Sequence, residues 1–321
     1  MAEQNRACVD AGTVNCPCPL AETGDCLICS RLAGKDCCDC SWAGVCVYNE
    51  YIQNGSVVRN RREGKSVPIL KKTWYGNDLL VLVLQVSKGF ALQAAQPGSF
   101  VFLRASEGMP YSDVPVSVMK AEIEEGRLYL ALKIFSGKTK AIAEKQDHLF
   151  MRGVYRNGLL GKGVSAFYRP GLPSQSRWLI LTRGTGASPA VNLLRWLPQD
   201  ASVELVADSE NIGTEWIRDY LERCCSECGG LTQVRIVSDS LQSAADRYRQ
   251  ADYDRIVILA SDYYIETIAS QMEVPAEKLI FSNNFHMCCG EGICGACSHV
   301  TGPGTVKKMC KCRLAKLDGL R

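Results

Sequence analysis

From about residue 56 to 135, apolar and polar positions alternate in short runs. Val67–Trp74, Leu79–Val86, Ser99–Arg104, Pro115–Glu122 and Arg127–Phe135 are rich in β-branched and aromatic residues. Turn signals such as Tyr75-Gly76-Asn77-Asp78 and Glu124-Glu125-Gly126 separate them. Five or six such strands predict a small antiparallel barrel. Gly137–Gln146 then reads as a short helix entered through a glycine-rich loop. The pattern changes after Arg169-Pro170-Gly171. Trp178–Thr182, Val203–Ala207, Val234–Val237, Ile256–Ala260 and Leu279–Phe281 are continuous apolar runs, as expected of strands buried on both faces. Helical stretches alternate with them: one running to Trp196, then Glu215–Cys228, Leu241–Gln250 and Tyr263–Gln271. Strand–helix alternation predicts a doubly wound parallel sheet, with ligands beyond the carboxyl ends of its strands.

Cysteine usage changes that picture. The 321 residues include 18 cysteines, in blocks: nine before residue 47, three at Cys224, Cys225 and Cys228, and six after residue 287. A disulfide framework would spread through the fold, whereas metal sites cluster locally, so metal is the expectation. Only His148, His286 and His299 could add nitrogen ligands, so the ligands are mainly thiolates.

The C-terminal block reads Cys289-Gly290-Glu291-Gly292-Ile293-Cys294-Gly295-Ala296-Cys297, followed by Cys310 and Cys312. Two thiolates four residues apart, a third two residues on and a distant fourth is the spacing of a plant-type 2Fe–2S cluster. The glycines let the loop turn its N–H groups toward sulfur. Structural zinc more often uses two CxxC-like pairs. Cys289, Cys294, Cys297 and Cys310 are the expected ligands; Cys312 is the alternative fourth, and Cys288 is a spare beside the first.

The N-terminal block holds Cys8, Cys16, Cys18, Cys26, Cys29, Cys37, Cys38, Cys40 and Cys46 among few large apolar residues. Such a segment cannot bury enough surface to fold alone, so metal organises it. An additional iron–sulfur cluster, 4Fe–4S in type, is expected here, with structural zinc as the alternative. Cys16, Cys18, Cys26 and Cys29 form the first candidate ligand set, and Cys38, Cys40 and Cys46 the next. The Cys224, Cys225 and Cys228 trio closes an amphipathic stretch before Gly229-Gly230 and reads as structural.

Net charge is +3 and apolar residues make up 46%, which argues for no nucleic-acid partner and an ordinary globular interior. No apolar run spans a bilayer, and Met1-Ala2-Glu3-Gln4-Asn5-Arg6 has no signal-peptide core, so a cytoplasmic location is expected. Gly184-Thr185-Gly186-Ala187-Ser188-Pro189, between strand and helix, is a phosphate site in principle; a tight turn without a ligand is the other reading.

Barrel, nucleotide-type sheet and C-terminal cluster, in that order, resemble ferredoxin–NADP reductase-like proteins. More narrowly, they resemble the electron-transfer subunit of dihydroorotate dehydrogenase and its sulfide-dehydrogenase-like relatives. The resemblance runs from about residue 60 to the end and implies FAD on the barrel. Asp113-Val114-Pro115-Val116-Ser117 corresponds to the family's flavin strand, with Pro115 and Ser117 fitting and no match for its arginine. A carboxylate at Asp113 would repel flavin phosphates. Ser136-Gly137-Lys138-Thr139-Lys140 matches the glycine-rich helix start that holds the pyrophosphate, through Gly137, Lys138 and Thr139. Arg152-Gly153-Val154-Tyr155-Arg156-Asn157-Gly158 matches the Arg-Gly-Pro-Tyr-x-Asn-Gly loop at Arg152, Gly153, Tyr155, Asn157 and Gly158. Gly184, Gly186 and Pro189 would border an NAD(P)H pocket. The Cys-Gly-Pro motif expected near the nicotinamide is here Ala260-Ser261-Asp262, and no basic cluster follows Asp208 to favour NADPH.

The domains expected are a Cys-rich segment (1–55), a FAD-type barrel (56–170), a NAD-type α/β domain (171–282) and a 2Fe–2S module (283–321). The chain reads as the electron-transfer subunit of an oxidoreductase complex, relaying electrons between FAD and a catalytic flavoprotein or iron–sulfur partner. The alternative is a non-catalytic wiring subunit that keeps its clusters and has lost flavin or nucleotide.

Overall fold

The computed structural model describes residues 8–108, 113–168, 175–209, 214–227, 233–237, 239–249, 251–301 and 304–312. In chain order, α1 (Pro19–Glu22) and α2 (Val47–Gln53) precede strands β1 (Lys65–Tyr75) and β2 (Leu79–Gln85). Helix α3 (Lys88–Ala94), strands β3 (Phe100–Arg104), β4 (Val114–Glu122) and β5 (Arg127–Lys133), helix α4 (Gly137–Glu144) and strand β6 (His148–Tyr155) follow. The six strands close into a barrel in the order β1-β2-β5-β4-β3-β6, with antiparallel neighbours throughout. The barrel expected from alternating runs is therefore present.

Strand β2 shows why the alternation blurs. Leu80, Leu82 and Leu84 fill the barrel with Val101, Leu130 and Leu149. Leu79 and Val81 point the other way and join Trp178, Ile180 and Val191 in a second core. A strand buried on both faces must be apolar at every position, which Leu79–Leu84 is.

After a two-residue strand, β7 (Leu159–Leu160), come β8 (Arg177–Arg183), helix α5 (Ala187–Leu194) and β9 (Ser202–Asp208). Helix α6 (Thr214–Ile217) and helix α7 (Arg223–Glu227) lead to β10 (Gln233–Val237), helix α8 (Leu241–Tyr248) and β11 (Arg255–Leu259). Helix α9 (Asp262–Gln271) and β12 (Leu279–Ser282) complete this part. The sheet order is β10-β9-β8-β11-β12-β7; all pairs are parallel except β7 with β12, where Leu160 faces Phe281. Chain direction across the sheet reverses between β8 and β11, so the turns after those two strands flank the switch point.

The helix read as continuous over Glu215–Cys228 is interrupted. A π-turn at Arg218–Glu222 separates α6 from α7. Cys224 lies 3% exposed against Val191, as a small apolar residue would. Cys228, the Gly229-Gly230 cap, the Arg169-Pro170-Gly171 transition and Met1–Arg6 lie outside the described residues.

Two compact units emerge. One contains barrel and sheet and runs from Lys65 to Asn284. The other joins the described chain up to Gly64 with the described residues from Phe285 to Cys312, so the two terminal cysteine segments share one unit. The amide of Val9 donates to the carbonyl of Lys311 at 2.9 Å. The last strands, β13 (Ser298–Thr301) and β14 (Thr305–Lys308), form its hairpin. One small apolar cluster in it gathers Ala21, Cys29, Leu32 and Val47. Among the described residues no helix is long and apolar enough to cross a membrane.

Candidate redox site

Four C-terminal thiols meet. The Cys310 thiol hydrogen-bonds both Cys289 and Cys297, and Cys294 bonds Cys289. Backbone amides point at two of the sulfurs. Glu291 and Cys294 donate to Cys289 Sγ at 3.3 and 3.4 Å, and Cys310 donates to Cys297 Sγ at 3.3 Å. The loop can do this because Gly290, Gly292 and Gly295 all have positive φ, from +69° to +79°. At Gly292 a Cβ would also stand 3.0 Å from Leu20 and 3.2 Å from Lys311.

These contacts polarise the thiols. The bond from Cys310 pulls Cys289 down to about 4 and Cys297 down to about 6. Cys310, as donor to both, is raised, and burial adds to the rise. Burial, first of all, raises Cys294. Depressed thiols are the ones ready to bind metal as thiolates. It is Cys310 that joins Cys289 and Cys297; Cys312, buried and raised by burial, donates its amide to the Lys308 carbonyl.

The N-terminal cysteines fall into two neighbourhoods. Cys8 and Cys18 are buried, burial raises both, and Cys18 adds to the rise at Cys8. Cys16, pushed up to about 12 by burial, faces Cys18 and Cys26. The Cys29 amide donates to Cys26 Sγ at 3.4 Å, an N–H···S bond like those of the C-terminal loop. Cys38 bonds Cys40 at the surface and feels Cys29, while Ser30 accepts from Asp39 and donates to the Cys37 carbonyl. Cys46 is exposed at the start of α2. Among the described residues, no three His, Cys, Asp or Glu side chains stand arranged around a single metal ion. Cys8 was not among the candidate ligands; it sits within a polar N-terminal run that gave no motif.

On the barrel, Asp113 is buried between two arginines. Arg104 Nη1 reaches its Oδ1 at 2.9 Å, and Arg152 Nη2 reaches Oδ2 at 2.8 Å. Arg152 also lies 4.7 Å over the Phe102 ring and bonds the Tyr155 hydroxyl, and Tyr155 stacks on Phe100. The repulsive carboxylate expected at Asp113 is thus neutralised, leaving one net positive charge. Sequence spacing hid Arg104, which comes from the neighbouring strand. Arg152, Tyr155 and Asn157 are all under 9% exposed. Gly158 donates to the Gly98 carbonyl, where a Cβ would stand 2.6 Å from that oxygen.

Helix α4 starts with a capping box in which Ser136 and Thr139 exchange side-chain and backbone bonds. Thr139 is fully buried and its hydroxyl belongs to the cap, so it serves the helix and not the surface. Gly137 and Lys138 are exposed at the helix start, and Phe135 beside them is 77% exposed. Positive local charge, an open helix start and an exposed aromatic ring fit a flavin diphosphate. Ser117 is half-buried and Pro115 exposed on β4, which α5 crosses; Ser188 Oγ donates to the Ser117 carbonyl at 3.5 Å.

No protein-family model matches the sequence, and no curated protein matches it. Solved structures do. An NADH-dependent reduced ferredoxin–NADP oxidoreductase, described for flavin-based electron bifurcation, aligns at TM-score 0.57 and 18% identity over 76% of this chain and 85% of its own. A flavohemoglobin from Malassezia yamatoensis with bound FAD and heme aligns at 0.51 and 14%, covering 74% and 64%. The ferredoxin reductase of carbazole 1,9a-dioxygenase aligns at 0.50 and 16%, covering 71% and 73%. The fold is that of ferredoxin–NADP reductase-like proteins.

In this reductase-like fold the glycine turn lies at the switch point. Gly184 has φ +53°, and a Cβ on Gly186 would stand 2.0 Å from the Leu259 carbonyl at the end of β11. Gly186 therefore lets the start of α5 dock against β11, and Pro189 lies in the first turn of that helix. Beside it, Arg183 pairs with Asp208 and lies 4.4 Å over Tyr264. Asn284 Nδ2 closes the end of β11 by donating to the Ala260 carbonyl and to Asp262. A separate cavity of about 530 Å³, lined by Lys120, Tyr129, Arg195, Asp219 and Tyr220 among others, contains none of the predicted flavin or nucleotide residues.

Proposed function

We propose that this protein is the electron-transfer subunit of an oxidoreductase complex. The observation that carries the reading is the convergence of Cys289, Cys294, Cys297 and Cys310, with three backbone amides aimed at their sulfurs, in a chain whose other unit has a reductase-like fold. Those four thiols would hold a 2Fe–2S cluster. Such a centre accepts one electron at a time, and bound flavin splits a two-electron hydride into single electrons. The protein supplies position and field. Gly137 and Lys138 would receive the flavin diphosphate at the start of α4, and Ser117 and Pro115 would line its strand. The α5 turn at Gly184–Gly186 would take NAD(H), with Asp208 giving no preference for an extra phosphate. The N-terminal cysteines would hold a further cluster, of 4Fe–4S type, drawn from Cys16, Cys18, Cys26, Cys29, Cys38, Cys40 and Cys46. The terminal chemistry would reside on a cytoplasmic partner, a catalytic flavoprotein or iron–sulfur subunit.

A second reading has its own support. Arg152, Tyr155 and Asn157 are buried, and Ala260-Ser261-Asp262 stands where a cysteine motif was expected. A wiring subunit that holds clusters without flavin fits those features.

Anaerobic purification with iron, sulfide and flavin assayed on one sample separates the two. Stoichiometric FAD with iron is expected; iron without flavin would select the wiring subunit. Cys294→Ala is expected to abolish the 2Fe–2S visible absorption, and an unchanged spectrum would remove the ligand assignment.

A further inference from the structure

Lys311 stands between Cys310 and Cys312 with its side chain fully buried. Its Nζ lies 2.7 Å from Asp10 Oδ2 and 2.7 Å from Glu291 Oε2. Arg62, itself 4% exposed, holds the same two carboxylates from its own side, at 2.5 Å to Asp10 and 3.3 Å to Glu291. Two cations and two anions close a neutral ring.

Such a ring is a costly staple. Desolvating four charges offsets most of their attraction, and apolar residues of similar volume hold loops together as well or better. Its placement gives it another use. Asp10 follows Cys8 by two residues, Glu291 follows Cys289 by two, and Lys311 follows Cys310 directly. The ring therefore touches the backbone of both terminal cysteine segments. Lys311 bears on Cys8 and Cys18, and Glu291 ties the ring to the C-terminal loop, since its amide donates to Cys289 Sγ at 3.3 Å. In a low-dielectric interior a buried unit charge held by such a loop changes the free energy of adding an electron, because little solvent screens it.

We propose that Lys311 is a positioning residue which, balanced by Asp10 and Glu291, sets the reduction potential of the C-terminal cluster and makes that potential depend on the N-terminal cysteine loop. The inference rests on the reading of Cys289, Cys294, Cys297 and Cys310 as cluster ligands. Removing one charge leaves the ring unbalanced with a defined sign. Lys311→Met leaves net negative charge and lowers the potential; Asp10→Asn leaves net positive charge and raises it. Lys311→Arg keeps the charge and stays near wild type, as does the Lys311→Met/Asp10→Asn pair.

The test is a redox titration of the full-length, anaerobically purified protein, followed by electron paramagnetic resonance of the reduced 2Fe–2S centre. Opposite shifts for Lys311→Met and Asp10→Asn, with Lys311→Arg unshifted, are expected. Shifts of the same sign, or none, overturn the proposal, since loosened packing has no reason to follow the sign of the charge. If Lys311→Met does not assemble a cluster, Asp10→Asn and Glu291→Gln must each raise the potential, and failure of either to do so also overturns it. A wild-type protein without a 2Fe–2S signal would instead sink the ligand reading on which this rests.

Discussion

At Asp113 a single carboxylate decides how two arginines are tolerated inside the barrel. Arg104 and Arg152 are each 8% exposed, and both take their charge partner from this one side chain. Asp113→Asn keeps the shape and removes the charge, leaving buried cations without compensation. The expected cost is about 3–5 kcal/mol of barrel stability, read as a lower midpoint in urea unfolding. Asp10 illustrates the same balance elsewhere. Burial alone would raise it, yet Lys311 and Arg62 overcome that and bring it to about 2. Its folded value lies below its unfolded one, so its contribution is present above about pH 4 and is lost as pH falls toward 2. In the metal-loaded protein, the Asp10→Asn variant is expected to lose less stability over that window than wild type, read in acid unfolding. Neither network was legible in the sequence. Motifs report spacing along the chain, and Arg104 with Asp113, or Asp10 with Lys311, are paired by the fold.

Among the elements, legibility followed length and period. Five of the six barrel strands and the parallel strands appeared within a residue or two of their expected places, because each carries several apolar positions in one pattern; β6, which closes the barrel, was not expected as a strand. Leu159–Leu160 was missed as a strand since two residues hold no period. The break between α6 and α7 was missed because an apolar stripe reads alike through a π-turn. The turns of the Cys289–Cys297 loop were the most legible local feature, its three glycines all lying at positive φ. The flavin strand was the least so, since its departure at Asp113 is compensated from β3 and β6. At the sheet, Gly186 is the most demanding contact. Gly186→Ala would press a methyl into the Leu259 carbonyl and is expected to cost about 2–3 kcal/mol, seen as earlier unfolding and weaker NADH protection in a thermal shift assay.

Over the whole molecule the two units differ in what holds them. The unit of barrel and sheet has two extensive apolar cores, whereas the cysteine-rich unit has a small cluster of Ala21, Cys29, Leu32 and Val47, with Leu20, Val58 and Met309 buried besides. Iron removal is therefore expected to release the cysteine-rich unit while barrel and sheet persist. Limited proteolysis of chelated protein should cut before Lys65 and after Asn284 first; equal protection with and without iron would count against metal as its organiser. The division of this unit between the two chain ends also bears on how the protein is made. Asp10 and Cys18 leave the ribosome about 270–300 residues ahead of Glu291 and Lys311. At ordinary translation speeds the early cysteines wait roughly 14–60 s for their partners. During that interval their thiols are open to oxidation and to stray metal, so biosynthesis favours a cell that is short of oxygen or that shields the nascent chain.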